Sequence, residues 1–217
     1  MTALLSRLGS LAERGSACYA AVFSWLALVL IMTVLNQTGI VQAGSLASSP
    51  ESVREGKLWL LFSNGIIVQH PVVLSFVSLV LLAVTAMYVC GGSATCLSAV
   101  AGHIGSTLLA YFVYGVVRLS NAHAFVGLGS RSDYGVSAIT AAWLGIVATT
   151  AWERRGRTIR RGLAITTSCV AVGLFAWMSR RHVTVIDSDH LFAFAIGASI
   201  PYLRRTGNSR TNVTAIE

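Results

Sequence analysis

Apolar residues gather in six stretches, at 17–35, 72–89, 94–117, 134–152, 162–178 and 187–203, and polar residues gather between them. A spanning helix needs roughly 20 predominantly apolar residues, so the pattern predicts six transmembrane helices. The expected fold is an all-α membrane protein, with a membrane domain over 17–205, a short N-terminal segment at 1–16 and a tail at 206–217. The first stretch follows Arg7 and Arg14, as a signal peptide would, and "VQA" at 41–43 is a passable cleavage site. Its apolar core exceeds the roughly 7–15 residues of a signal h-region, which favours an uncleaved anchor.

The connection from 36 to 71 divides in two. "NQTGIVQAGSLASSPESVREG" is polar and loop-like, whereas "KLWLLFSNGIIVQHP" is apolar, too short to span, and broken by Ser63, Asn64 and Gly65. The second half is expected to be an interfacial or re-entrant element.

Composition agrees with the pattern. Of 217 residues, 54% are hydrophobic and 11% charged, whereas soluble domains carry about 25% charged residues. So few charges cannot coat a water-facing surface, and no separate soluble module is expected. Fifteen arginines and one lysine stand against eight acids, and their placement predicts orientation. With the N-terminus inside, ten of the sixteen cations fall on cytoplasmic segments and six outside, and "ERRGRTIRR" (153–161) dominates the bias. Both termini are then cytoplasmic. Topology accounts for the net charge of +8; no basic stripe marks a nucleic-acid partner, and the partner implied is the lipid bilayer. Cys18, Cys90, Cys96 and Cys169 lack metal spacing, and the five histidines form no HxxH or HxxxH pair. No metal or cofactor is expected.

On this topology the fourth and sixth segments run in the same direction, inward from the outer face. Ser137 is the fourth residue of one and His190 the fourth of the other. At about 1.5 Å per residue both lie some 5–6 Å below their helix starts. A hydroxyl and an imidazole at matching depth are the nucleophile–base arrangement that serine hydrolysis requires. Small residues such as Gly135, Ser137 and Gly145 also favour close helix packing in membranes, an alternative reading of the same stretch.

These residues resemble a known family. The six-segment layout, Gly135-Val136-Ser137-Ala138 with Gly145 eight residues after the serine, and His190 with Ala193 and Gly197 are similar to the GxSG and HxxGxxxG motifs of rhomboid intramembrane serine proteases. "LWLLFSNGII" resembles the stretch that closes the rhomboid first loop, and the likeness covers roughly 17–205. "GHIGSTLL" and "SDYGVSA" resemble an actinobacterial rhomboid-like subgroup, which implies a bacterial plasma membrane. The resemblance implies a rhomboid-like bundle with Ser137 as nucleophile and His190 as general base. It further implies Gly135 as a place where substrate backbone or a loop approaches closely, and the Ser137 N–H as an oxyanion donor. The substrates or partners implied are transmembrane helices of single-pass proteins, cut near the outer membrane boundary.

The chain departs from the family in several places. Rhomboids usually carry HxxxN on the second helix, and those positions fall on or near Val73 and Val77. Asn64, Gln69 and His70, just before that helix, are the candidate replacements as oxyanion donors. Ala138 replaces the last motif glycine, and Ala141 stands where an aromatic commonly packs on the histidine. Asp187, three residues before His190, can share its helix face and orient the ring. Asp133 is expected to cap the fourth segment. His103, near the middle of the third segment and well below the pair, is expected to pack between Gly102 and Gly105. His123 and His182 fall on outer loops. The alternatives are an inactive rhomboid-like protein that binds transmembrane partners, and a small transporter, at which His103 alone hints.

Overall fold

The structure is a computed structural model that describes residues 2–68, 71–120, 134–153, 162, 165 and 185–213. Among these residues the fold is helical and contains no β-strand. Five helices are long: α1 (Thr2–Gln37), α4 (Val72–Cys90), α5 (Gly92–Ser120), α6 (Val136–Glu153) and α7 (Val185–Val213). Two short ones, α2 (Pro50–Arg54) and α3 (Leu60–Ser63), lie in the connection between α1 and α4. Among the described residues four stretches are long and apolar enough to cross a membrane: Ser16–Gln37, Val72–Cys90, Gly92–Leu119 and Val136–Glu153. They coincide closely with four of the six apolar stretches of the sequence. The last stretch, 187–203, lies within α7, which continues to Val213. Of the stretch at 162–178, only 162 and 165 are described, and 154–161 of "ERRGRTIRR" lie outside the described residues.

The helices follow from apolar runs with few interruptions, and their outer faces stay apolar. Leu81, Val84 and Tyr88 on α4 and Val100 and Phe112 on α5 are exposed, as a lipid-facing helix requires. α4 and α5 are joined through Gly91 alone, at φ +86°, a left-handed conformation that a side chain would strain. The two helices therefore form a tight hairpin.

α6 occupies the centre, packed against α4, α5 and α7. Its Trp143 is the largest fully buried side chain described. The indole meets Trp25 of α1 edge-on, with centroids 5.7 Å apart, and its Nε1 donates to the Thr95 carbonyl at 3.0 Å. Around it Val22, Leu26 and Val29 of α1, Leu79, Leu82 and Ala86 of α4, and Ile139, Ile146 and Val147 of α6 form one apolar core.

The connection between α1 and α4 is more ordered than its polar first half suggests. Ser49 begins α2 with a reciprocal capping box, its Oγ accepting from the Ser52 N–H at 3.1 Å while Ser52 Oγ accepts from the Ser49 N–H at 2.9 Å. The apolar second half turns inward. Leu60, Leu61, Ile67 and Val68 are buried, Val68 N–H donates to Thr33 Oγ1 of α1 at 3.1 Å, and a 3-10 turn at Asn64–Ile66 sets Asn64 and Gly65 into the bundle. Leu58, Trp59 and Phe62 remain exposed beside it.

Candidate active site

Glycine contacts fix the register of α6 against α7. A Cβ on Gly145 would overlap the Phe194 carbonyl and lie 2.9 Å from the Ala198 nitrogen; one on Gly197 would overlap the Ala142 carbonyl. The two backbones touch because neither residue has a side chain. Ala138, Ala142 and Ala193 fill the same seam. Farther along, Ile146, Thr150 and Glu153 of α6 and Ile200, Pro201 and Arg204 of α7 line one cavity of about 190 Å³, so the helices run parallel. Ser137 then lies about 12 Å from Gly145, and His190 about 6–12 Å from the Phe194–Ala198 turn, toward the same end. The pair share one end of a locked helix pair at similar depth.

Their local states differ. Ser137 is exposed, and its Oγ donates to the carbonyl of Tyr134, just before α6, at 3.2 Å. His190 is half-buried, with both ring nitrogens shielded from solvent. A Ser137–His190 dyad therefore requires the serine side chain to rotate away from Tyr134. Asp187 lies in the first turn of α7, its side chain outside the description. The acid the structure buries is Asp189, 2% exposed. It belongs to the stripe Asp189, Ala193, Gly197 and Ile200, all buried. The spacing of small residues back from Gly197 was the signal that could have found it.

Gly135 is closely approached, and by a loop. Its N–H donates to the Asn64 carbonyl at 2.9 Å, and a Cβ on it would run into the imidazole of His103. This corrects the position expected for His103. The ring packs on Gly65 and Gly135 and not between Gly102 and Gly105, and it lies beside the start of α6 and not well below it. Gly102 instead meets Ala142 and the Ala193 carbonyl, and Gly105 meets Ile196. The cause is a stagger of helices. His103 lies eleven residues beyond Gly92, about 16 Å along α5, whereas α4 is about 28 Å long. The start of α6 is thus recessed about 12 Å from the loop end of α4, deeper than a count from its own first residue suggests.

Val73 and Val77 are 76% and 46% exposed, on the outward face of α4. Of the replacement donors, Gln69 and His70 lie outside the described residues. Asn64 is 0% exposed; its Nδ2 donates to Ser48 Oγ at 2.7 Å, and its Oδ1 has no hydrogen-bond partner. Asp133, His123 and His182 also fall outside the described residues. Among the described residues no group of His, Cys, Asp and Glu could hold a metal, and Cys18, Cys90 and Cys96 are not joined in disulfides. No protein-family model, no curated protein and no solved structure matches this chain.

Proposed function

We propose that the chain is a rhomboid-like intramembrane serine protease of a bacterial plasma membrane, with six spans and both termini cytoplasmic. One observation carries this reading: Ser137 and His190 sit at one end of two parallel helices held in backbone contact by Gly145 and Gly197. His190 accepts the Ser137 hydroxyl proton as Oγ attacks the scissile carbonyl, then passes it to the leaving amine. Water hydrolyses the acyl-serine by the reverse proton traffic. The oxyanion is held by first-turn amides at the start of α6, which no helical carbonyl satisfies. The N–H of Ser137 is one of them. These amides take the place of the donors absent at Val73 and Val77. The substrates are single-pass membrane proteins, cut near their outer boundary, and they approach along the exposed side of Ser137.

A second reading, a catalytically inactive protein that binds transmembrane partners, is favoured by the outward-facing Val73 and Val77 and by the Ser137–Tyr134 hydrogen bond. A serine-reactive phosphonate probe separates the two. The protease labels on Ser137, and both Ser137→Ala and His190→Ala abolish labelling without changing tryptophan fluorescence. A folded wild type that resists the probe and cleaves no single-pass substrate in a panel sinks the protease reading.

A further inference from the structure

A second polar cluster lies on a different side of the α6 start from Ser137. His103 is 6% exposed, yet neither ring nitrogen has a hydrogen-bond partner. The Leu61 carbonyl lies beside the ring without meeting hydrogen-bond geometry. A Cβ on Gly65 would come 3.0 Å from His103 Nε2, and one on Gly135 would meet the Nδ1–Cε1 edge. The two glycines therefore leave bare backbone over both nitrogens. Asn64, next to Gly65, adds a buried Oδ1 that also lacks a partner. Unsatisfied polar atoms of this kind are rare in folded proteins and point to a bound polar molecule.

The cluster is linked to a cavity lined by hydroxyl side chains and a lysine. Asn64 Nδ2 donates to Ser48 Oγ at 2.7 Å, and Ser48 Oγ is hydrogen-bonded to the Tyr111 hydroxyl at 2.7 Å. Tyr111, Thr107 and His103 stand at successive turns on one face of α5. Ser48 also lines a cavity of about 320 Å³ with Ser45, Ser49, Ser52 and Lys57.

We propose that His103 and Asn64 hold water within the membrane domain, supplied from this cavity past Ser48 and Tyr111, so that the buried imidazole exchanges protons with the loop side. A neutral imidazole presents one donor and one acceptor, and a carboxamide oxygen accepts. Water both donates and accepts and satisfies all three, in either orientation of the Asn64 amide. α7 brings Asp189 and His190 toward this end of the bundle, while α4 and α6 bring no ionisable side chain near this level. The site stands independently of any chemistry at Ser137.

The test is water-to-protein magnetisation transfer, read by solid-state NMR on the full chain in lipid vesicles with nitrogen-15 histidine and tryptophan. His103 signals are assigned by their loss in His103→Gln. The Trp143 indole, fully buried and bonded to Thr95, is the dry reference. Transfer to the wild-type His103 ring is expected to outpace transfer to that indole. Gly65→Ala sets a methyl over Nε2 and is expected to abolish the excess, and Tyr111→Phe to slow it by cutting the Ser48 link. A wild-type ring as dry as the indole overturns the proposal, as does a Gly65→Ala ring as wet as wild type. Should Gly65→Ala not fold, unchanged transfer in Tyr111→Phe overturns the supply route and the proposal with it.

Discussion

Adding one methyl group at Gly197 should separate α6 from α7 and move His190 relative to Ser137. An ideal Cβ at 197 would overlap the Ala142 carbonyl oxygen and stand 2.8 Å from its carbon and 2.9 Å from Cα. Carbon atoms rest at about 3.5–4.0 Å, so the carbon contacts alone require the helices to part by roughly 0.6–1.2 Å at this crossing. The obstacle is backbone, which cannot rotate away as a flexible side chain would. Overpacking of this kind costs about 1–3 kcal/mol. Misplacement of a catalytic group by about 1 Å costs roughly 100-fold in rate. Gly197→Ala is therefore expected to lose about 1–3 kcal/mol in reversible unfolding, with phosphonate labelling slowed up to about 100-fold. Gly145→Ala, which meets Phe194 and Ala198 backbone, should behave alike. Gly115→Ala on α5 is the control: its Cβ would meet nothing within 4 Å, and alanine favours a helix over glycine by up to about 1 kcal/mol. Gly197→Ala unfolding within about 0.5 kcal/mol of wild type would refute the packing argument. Lost stability with unchanged labelling would keep the packing and remove the Ser137–His190 pair as the site.

Gly135→Ala drives a methyl into the His103 ring and should cost about 1–3 kcal/mol. Because the clash needs both partners, adding His103→Ala should recover part of the loss, with a coupling of about 0.5–3 kcal/mol in a double-mutant cycle; additive losses would show that the ring does not rest on Gly135. For topology, reporters fused after Arg161 or at the C-terminus should read cytoplasm, and one near Ser48 should read the outer side. A cytoplasmic Ser48 reporter would reverse the orientation and place the α6 start on the wrong side for outer-boundary cleavage.

How far the sequence carries the fold depends on which distances a chain pattern encodes. Apolar run length sets where a helix can cross a bilayer, so α4, with its stretch at 72–89, and α6, with its stretch at 134–152, emerge within a residue or two. Small residues at Gly145, Ala193 and Gly197 likewise announce a close seam, and the structure places α6 and α7 in backbone contact there. Depth is different. It was counted from each segment's own start, and nothing local says that α5 runs on for 29 residues while α6 has 18. That stagger brings His103 to Gly135. Burial on α7 is decided by the stripe facing α5 and α6, not by nearness to His190, so the acid it buries is Asp189, whereas sequence spacing singles out the more conspicuous Asp187.

The filling of Gly135 also bears on how Ser137 is reached. Gly135, just before α6, rests against the His103 ring, whereas Ser137 in the first turn is exposed, so the two look out on different sides of the helix start. The Gly135 side is closed by His103 and by the Asn64–Ile66 turn, which hydrogen-bonds the Gly135 amide. The Ser137 side is open. A glycine two residues before a serine reads in sequence as room for a substrate. Here that room is taken by the His103 ring and the protein's own loop, which seat the start of α6 against α5, so on the protease reading proposed above a substrate would have to come from the other side. The hydroxyl beside the glycine and the imidazole behind it thus lie on two faces of one helix end, one turned outward and one buried within the bundle.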